Sequence, residues 1–198
     1  MLVGVGSTAA PHTAHHVVQF YASDRSLFST VAEFLADGLL LGQPAIVIAT
    51  PAHRDGIEAH LQAKEIDCAV ARRAGDLVML DAEETLGQFA VGGEIEPDLF
   101  ERTVDVMVTQ ALCGRGRTTV RAFGEMVDLL WRQGHTESAI KLEMLWHKLV
   151  IKHRCALLCG YAMGHFYKQT WQLERIRQYH SHAILPDNIL PFSPKGRA

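Results

Sequence analysis

Five short runs of apolar and β-branched residues recur along this chain: VVQFY from Val17, AIVIAT from Ala45, LVML from Leu77, TTVRAF from Thr118 and CALLCGYAM from Cys155. Helix-patterned segments separate them. Runs of this length that stay apolar almost throughout, instead of alternating with polar residues, are buried on both faces. Strand and helix in alternation, with both faces of the strands covered, predict an α/β fold with a mostly parallel central sheet and helices on either side. Such a sheet has one favoured place for ligands, the crevice outside the carboxyl ends of its strands.

The first helix is the plainest. Leu27, Phe28, Val31, Phe34, Leu35, Gly38 and Leu39 recur at helical spacing, Ser23 or Asp24 is placed to cap the start, and Gly42 followed by Pro44 ends it. Pro51 and Pro97 suit first helical positions and open two further helices. Asp81, Glu83 and Glu84 cap another after the strand ending at Leu80. Thr136 to His153 reads as a long helix with Ile140, Met144 and Trp146 among its apolar positions and Lys141 and Glu143 among its polar ones.

At 198 residues the chain can bury a full core without disulfides or metal, so one domain is expected over 15–185, with loosely held tails at 1–14 and 186–198. A net charge of -3 gives no electrostatic case for direct nucleic-acid or membrane binding. Four cysteines without a disulfide-scaffold spacing, and an N-terminus without signal-peptide pattern, predict a cytoplasmic protein. The longest apolar stretch, around Val31 to Leu41, carries Glu33 and Asp37 and is too short to span a bilayer.

The most informative polar pair is Arg121 and Glu125, expected to bracket the carboxyl end of the fourth run. They bind a polar ligand group or clamp each other, and either role requires that a buried charge be satisfied. The first strand is expected to end beside them, at Tyr21. The loop that follows, ASDRS, lacks the glycines and the lysine of a phosphate cradle, and Asp24 repels phosphate although Arg25 attracts it. Gly4-Val5-Gly6-Ser7-Thr8 precedes the first strand and has no lysine, so it is no phosphate loop either. Tyr161 and Met163, at another strand end, complete a ligand-binding set of Tyr21, Asp24, Arg25, Arg121, Glu125, Tyr161 and Met163.

Eleven histidines raise the question of metal. The candidates are His15-His16, His180-Ser181-His182 and the Cys155/Cys159 pair, but those cysteines, on one strand face, lie about 13 Å apart at roughly 3.3 Å per residue. Tight sites need three or four converging ligands. No metal ligand or cofactor is therefore assigned, and a metal- or haem-binding sensor stays an alternative. No G-x-S-x-G elbow or H-E-x-x-H helix supports an enzyme.

His16-Val-Val-Gln-Phe-Tyr21, AEFLADGLLLGQPAIVIATPAHR from Ala32, Arg121-Ala-Phe-Gly-Glu-Met126 with VDLLW after it, and LEMLWHKL followed by LLCGYAM together resemble the MEDS family, the methanogen, methylotroph and DcmR sensory domain, over about His15 to Leu185. The resemblance implies a sensory module for small hydrocarbon-like molecules, on a RecA- or KaiC-like fold whose phosphate loop has decayed. It implies relay to a separate signalling protein, whether kinase, regulator or anti-sigma-type target, and leaves a homo-oligomer open. A degenerate nucleotide-binding protein is the other alternative. The segment from Trp171 to His182 is helix-patterned and is the expected docking or moving element.

Overall fold

The computed structural model describes residues 15–116, 118–166 and 171–186; the expected tail at 1–14 with its Gly4 to Thr8 stretch, and 187–198 of the expected C-terminal tail, lie outside the described residues. Six strands form one wholly parallel sheet: β1 (His15–Tyr21), β2 (Ala45–Ala49), β3 (Leu77–Asp81), β6 (Arg121–Gly124), β7 (Ala156–Ala162) and β8 (His182–Ile184). Their spatial order is β3-β2-β6-β7-β1-β8. A small antiparallel hairpin, β4 (Ala90–Val91) and β5 (Glu94–Ile95), turns through Gly92 and Gly93, both at positive φ.

The crossovers explain the layers. From β1 to β2 to β3 the chain moves toward one sheet edge, and from β3 through β6 and β7 to β8 it moves back, so right-handed connections put the two sets of helices on opposite faces. The first face carries α1 (Asp24–Leu40), α2 (Pro51–Gln62) and α3 (Cys68–Arg73), with Leu27, Val31, Leu35, Ile57 and Leu61 packed on Val47, Phe123 and Leu158. The second carries α4 (Ala82–Gly87), α5 (Pro97–Leu112), α6 (Met126–Arg132), α7 (Thr136–His153) and α8 (Trp171–Arg177), packed on Val18, Phe20, Ile46, Ile48, Leu157, Cys159 and Tyr161. Strand residues alternate strictly between the two cores, as a pleat requires.

Local signals hold as the sequence placed them. Ser23 caps α1 by accepting from the Ser26 N–H at 3.3 Å, and Gly42 follows its end at φ 71. Pro51 and Pro97 open α2 and α5, and Asp81 accepts from the Glu83 and Glu84 amides. Among the described residues no helix is long and apolar enough to cross a membrane.

Two expectations about position need correction. β7 lies between β1 and β6, so the first strand does not end beside the fourth run. Arg121 opens β6 instead of closing it, and its side chain turns back onto α1, where Nη1 donates to the Phe34 carbonyl at 2.7 Å and Nε to Gln43 Oε1 at 2.8 Å. Gly38 makes room for it: a Cβ there would stand 2.5 Å from Arg121 Cδ. Arg121 therefore fastens a helix to the amino end of the sheet, away from the crevice.

This geometry predicts a reversed sign. In an exposed helix Gly→Ala stabilises by about 1 kcal/mol, whereas Gly38→Ala is expected to destabilise because it dislodges the Arg121 shaft. Arg121→Met should itself cost about 1.5–3 kcal/mol, the value of hydrogen bonds from a charged donor. Urea denaturation of both variants checks this, and a stabilised Gly38→Ala protein would mean that Arg121 has another equally good seat.

Candidate functional site

β2 and β6 are neighbours whose following helices leave to opposite faces, so their carboxyl ends mark the switch point at which open α/β sheets place a ligand crevice. Glu125 sits there. Its backbone N–H extends the strand pairing to the Ile48 carbonyl at 3.1 Å, which turns the carboxylate inward, and the residue is 2% exposed. One oxygen accepts from the Thr50 N–H at 2.5 Å, and the other is bonded by His53 Nδ1 from the first turn of α2. On the far side of the ring, His53 Nε2 lies 3.6 Å from Asp24, which is exposed at the start of α1. The hydrogen bond to Glu125 holds the imidazole above its ordinary range, against the effect of burial. Asp24, His53 and Glu125 thus form a polar line from the surface into the crevice.

Aromatic side chains wall that line, since the rings of Tyr21 and Phe28 meet His53 edge-on at 6.1 and 5.3 Å. In the first turn of α6, buried Asp128 accepts from the Ala162 N–H at 3.0 Å and lies 3.4 Å from Arg132 and 3.5 Å from His165. Burial raises its carboxyl. Burial, then Asp128 and Glu125, push the Tyr21 hydroxyl upward as well, so the phenol stays a donor. Two aromatic rings thus flank a pair of buried carboxyl groups, Glu125 and Asp128, of which Glu125 is already bonded by Thr50 and His53.

Of the residues singled out from sequence, Tyr21, Asp24 and Glu125 come together here. Arg25 is on the exposed first turn of α1. Arg121 is at the other end of β6, and the two charges expected to bracket one strand end are bonded to different partners. Tyr161 is wholly buried on the second face, and Met163 lies buried in the 3-10 turn after β7, Met163–His165. Thr50 and His53 were not legible as site residues, because only the pairing of β2 with β6 brings them to Glu125, whereas Asp128 stands three positions after it in the first turn of α6.

A second polar cluster lies inside the second core. His16 of β1 and Cys159 of β7 point to the same face from adjacent strands, with His16 Nε2 3.3 Å from Cys159 Sγ. Glu143, in the middle of α7 and 0% exposed, sets Oε2 3.3 Å from His16 Nε2, 3.3 Å from His180 Nε2 and 3.6 Å from Cys159 Sγ. Tyr161 donates its hydroxyl to the other Glu143 oxygen at 2.9 Å. The ligand atoms of His16, Glu143, Cys159 and His180 all fall within 4.8 Å of one another. The sequence had one signal for this: Glu143 stands four residues after Ala139 and three before Trp146, on the buried stripe of its helix.

The family model described as MEDS: MEthanogen/methylotroph, DcmR Sensory domain matches residues 15–181, a span that contains both clusters. None of the curated proteins compared matches the chain.

Proposed function

The chain belongs to the MEDS family of sensory domains, and from that premise we propose that it senses a small, largely apolar molecule carrying one hydrogen-bond-donating end. The observation that carries this reading is buried Glu125 at the β2/β6 switch point, held by Thr50 and His53 beneath the Tyr21 and Phe28 rings. An apolar wall with a few convergent polar groups is the usual form of a small-molecule site. The second acidic group, Asp128, and the absence of a lysine in the loop after β1 speak for an alcohol or amine over a nucleotide. ATP hydrolysis is accordingly not expected.

The same residues offer a path outward. Asp128 holds the amide of Ala162, directly before the 3-10 turn, beyond which lie α8 and β8. A ligand that binds Glu125 and Asp128 differently in two arrangements of that turn biases them, and α8 then presents the state to a separate signalling protein.

A thermal-shift panel of short alcohols, amines and halogenated hydrocarbons, followed by calorimetry, tests the reading. Glu125→Gln and Tyr21→Ala, each confirmed as folded, should weaken the best binder at least about tenfold, or about 1.4 kcal/mol. Hydrogen exchange should change after residue 165 on ligand addition. Undiminished affinity in both variants would overturn the site, and protection changes limited to the loop after β1 would place the output elsewhere.

A further inference from the structure

We propose that His16, Glu143, Cys159 and His180 bind one divalent transition-metal ion of the zinc type, at a site separate from the crevice. Two imidazoles, a thiol and a carboxylate form a four-ligand set suited to tetrahedral zinc, whose bonds of about 2.0–2.3 Å separate neighbouring ligand atoms by about 3.3–3.6 Å. The contacts within the cluster are 3.3, 3.3, 3.3 and 3.6 Å. Four of the six ligand-to-ligand separations therefore match the edges of such a tetrahedron, and all six lie within 4.8 Å.

The surrounding hydrogen bonds aim the lone pairs inward. His16 Nδ1 donates to the Tyr179 carbonyl at 3.0 Å and His180 Nδ1 to the Ile176 carbonyl at 2.8 Å, which leaves both Nε2 atoms as the inward-facing ligands. Tyr161 occupies Glu143 Oε1 and frees Oε2, the oxygen that faces both histidines and Cys159. His180 Nε2, on a side chain 0% exposed, makes no hydrogen bond despite its 3.3 Å approach to Glu143. A buried imidazole nitrogen that finds neither donor nor acceptor in good geometry, inside a ring of other ligand atoms, is what a metal position without its ion presents.

Charge balance agrees. A dication held by one thiolate, one carboxylate and two neutral imidazoles is a neutral centre, and because the sulfur ligand is the thiolate, ion binding releases the Cys159 proton. A surface depression of about 250 Å³, lined by Glu174, Arg177, His180, Ser181 and His182, adjoins the cluster's His180. The ion would tie the α8–β8 segment to β1, β7 and α7.

Chelator-stripped, full-length protein titrated with Co²⁺ is the test. The expected result is one ion per chain, ligand-field bands of tetrahedral intensity and a thiolate-to-metal charge-transfer band. Cys159→Ser should abolish the charge-transfer band, His180→Ala should weaken binding at least about tenfold, and Cys155→Ser should change neither. Calorimetry in buffers of different ionisation enthalpy should show proton release that falls in Cys159→Ser. No stoichiometric binding by the folded protein, six-coordinate spectra, or binding unchanged in both Cys159→Ser and His180→Ala would overturn the site and leave the cluster as a hydrogen-bonded core network.

Discussion

Glu143→Leu should lower the stability of the chelated protein by about 3–5 kcal/mol, the cost of removing one partner from a buried charge pair. Four groups lose their common partner at once: the Tyr161 hydroxyl and the Cys159 thiol, which donate to it, and the imidazoles of His16 and His180, whose Nε2 atoms each lie 3.3 Å from it. None of them can turn to water, because each of these side chains is buried. Burial raises the Glu143 carboxyl, but His180 and His16 more than reverse that and hold it well below the usual range. Its contribution is therefore present above the unfolded value of about 4.3 and fades as pH falls. Burial disfavours the charged His180, yet Glu143 outweighs it and raises the group, so this contribution is full below about pH 6.5 and fades as pH rises through the raised folded value. His16 is lowered by burial and works in the opposite direction, adding stability above about pH 6.5 that is lost on acidification. Urea denaturation across pH should show a mildly acidic to neutral optimum for the parent and a flatter profile for Glu143→Leu. A loss under about 1 kcal/mol would mean the four groups are satisfied without the carboxylate.

What could be read from sequence followed local physics. Apolar runs gave the strands, Ser23, Pro51 and Pro97 gave helix starts, and Glu125 stands just past the carboxyl end of its strand, as its place after the apolar run implies. What could not be read depends on pairing at long range. Arg121 and Glu125 are neighbours in sequence, but a strand of four residues puts them at opposite ends, and only the sheet order shows that Gly38 and Phe34 receive the arginine. The distance argument against Cys155 and Cys159 as a metal pair holds for that pair. The cluster that does form takes Cys159 alone and draws its partners from β1, α7 and the turn before β8, across as many as 163 residues between His16 and the carbonyl of Tyr179. A glutamate within LEMLW reads as a solvated helix position, since carboxylates are rarely fully buried without partners, and its partners are invisible until the sheet is assembled.

Phe166→Ala is expected to cost a further about 3–5 kcal/mol, as large-to-small changes in a packed core do, and to concentrate its effect in one segment. Phe166 is 0% exposed and meets the rings of Trp131, Phe20 and Tyr161 at 5.1, 5.5 and 5.8 Å. It closes the turn after β7 through its N–H to the Met163 carbonyl at 3.0 Å, and so anchors the start of the chain that reaches α8. From Trp171 on the segment is held by the buried Ile176, by the partly buried Leu173, Tyr179 and Ala183, by the Arg175–Glu137 ion pair, by three residues of edge-strand pairing between β8 and β1, and by the Ser181 and His180 contacts. Ile176 is the one fully buried apolar side chain among its described residues, and an edge element of this kind opens at lower free energy than the central strands. Hydrogen exchange of Phe166→Ala should therefore show residues 171–184 losing protection before β1, β7 and β6, and the opening should be suppressed by whatever binds His180. If protection instead falls evenly through the sheet, Phe166 supports the whole core, and the C-terminal segment cannot move independently enough to carry a signal.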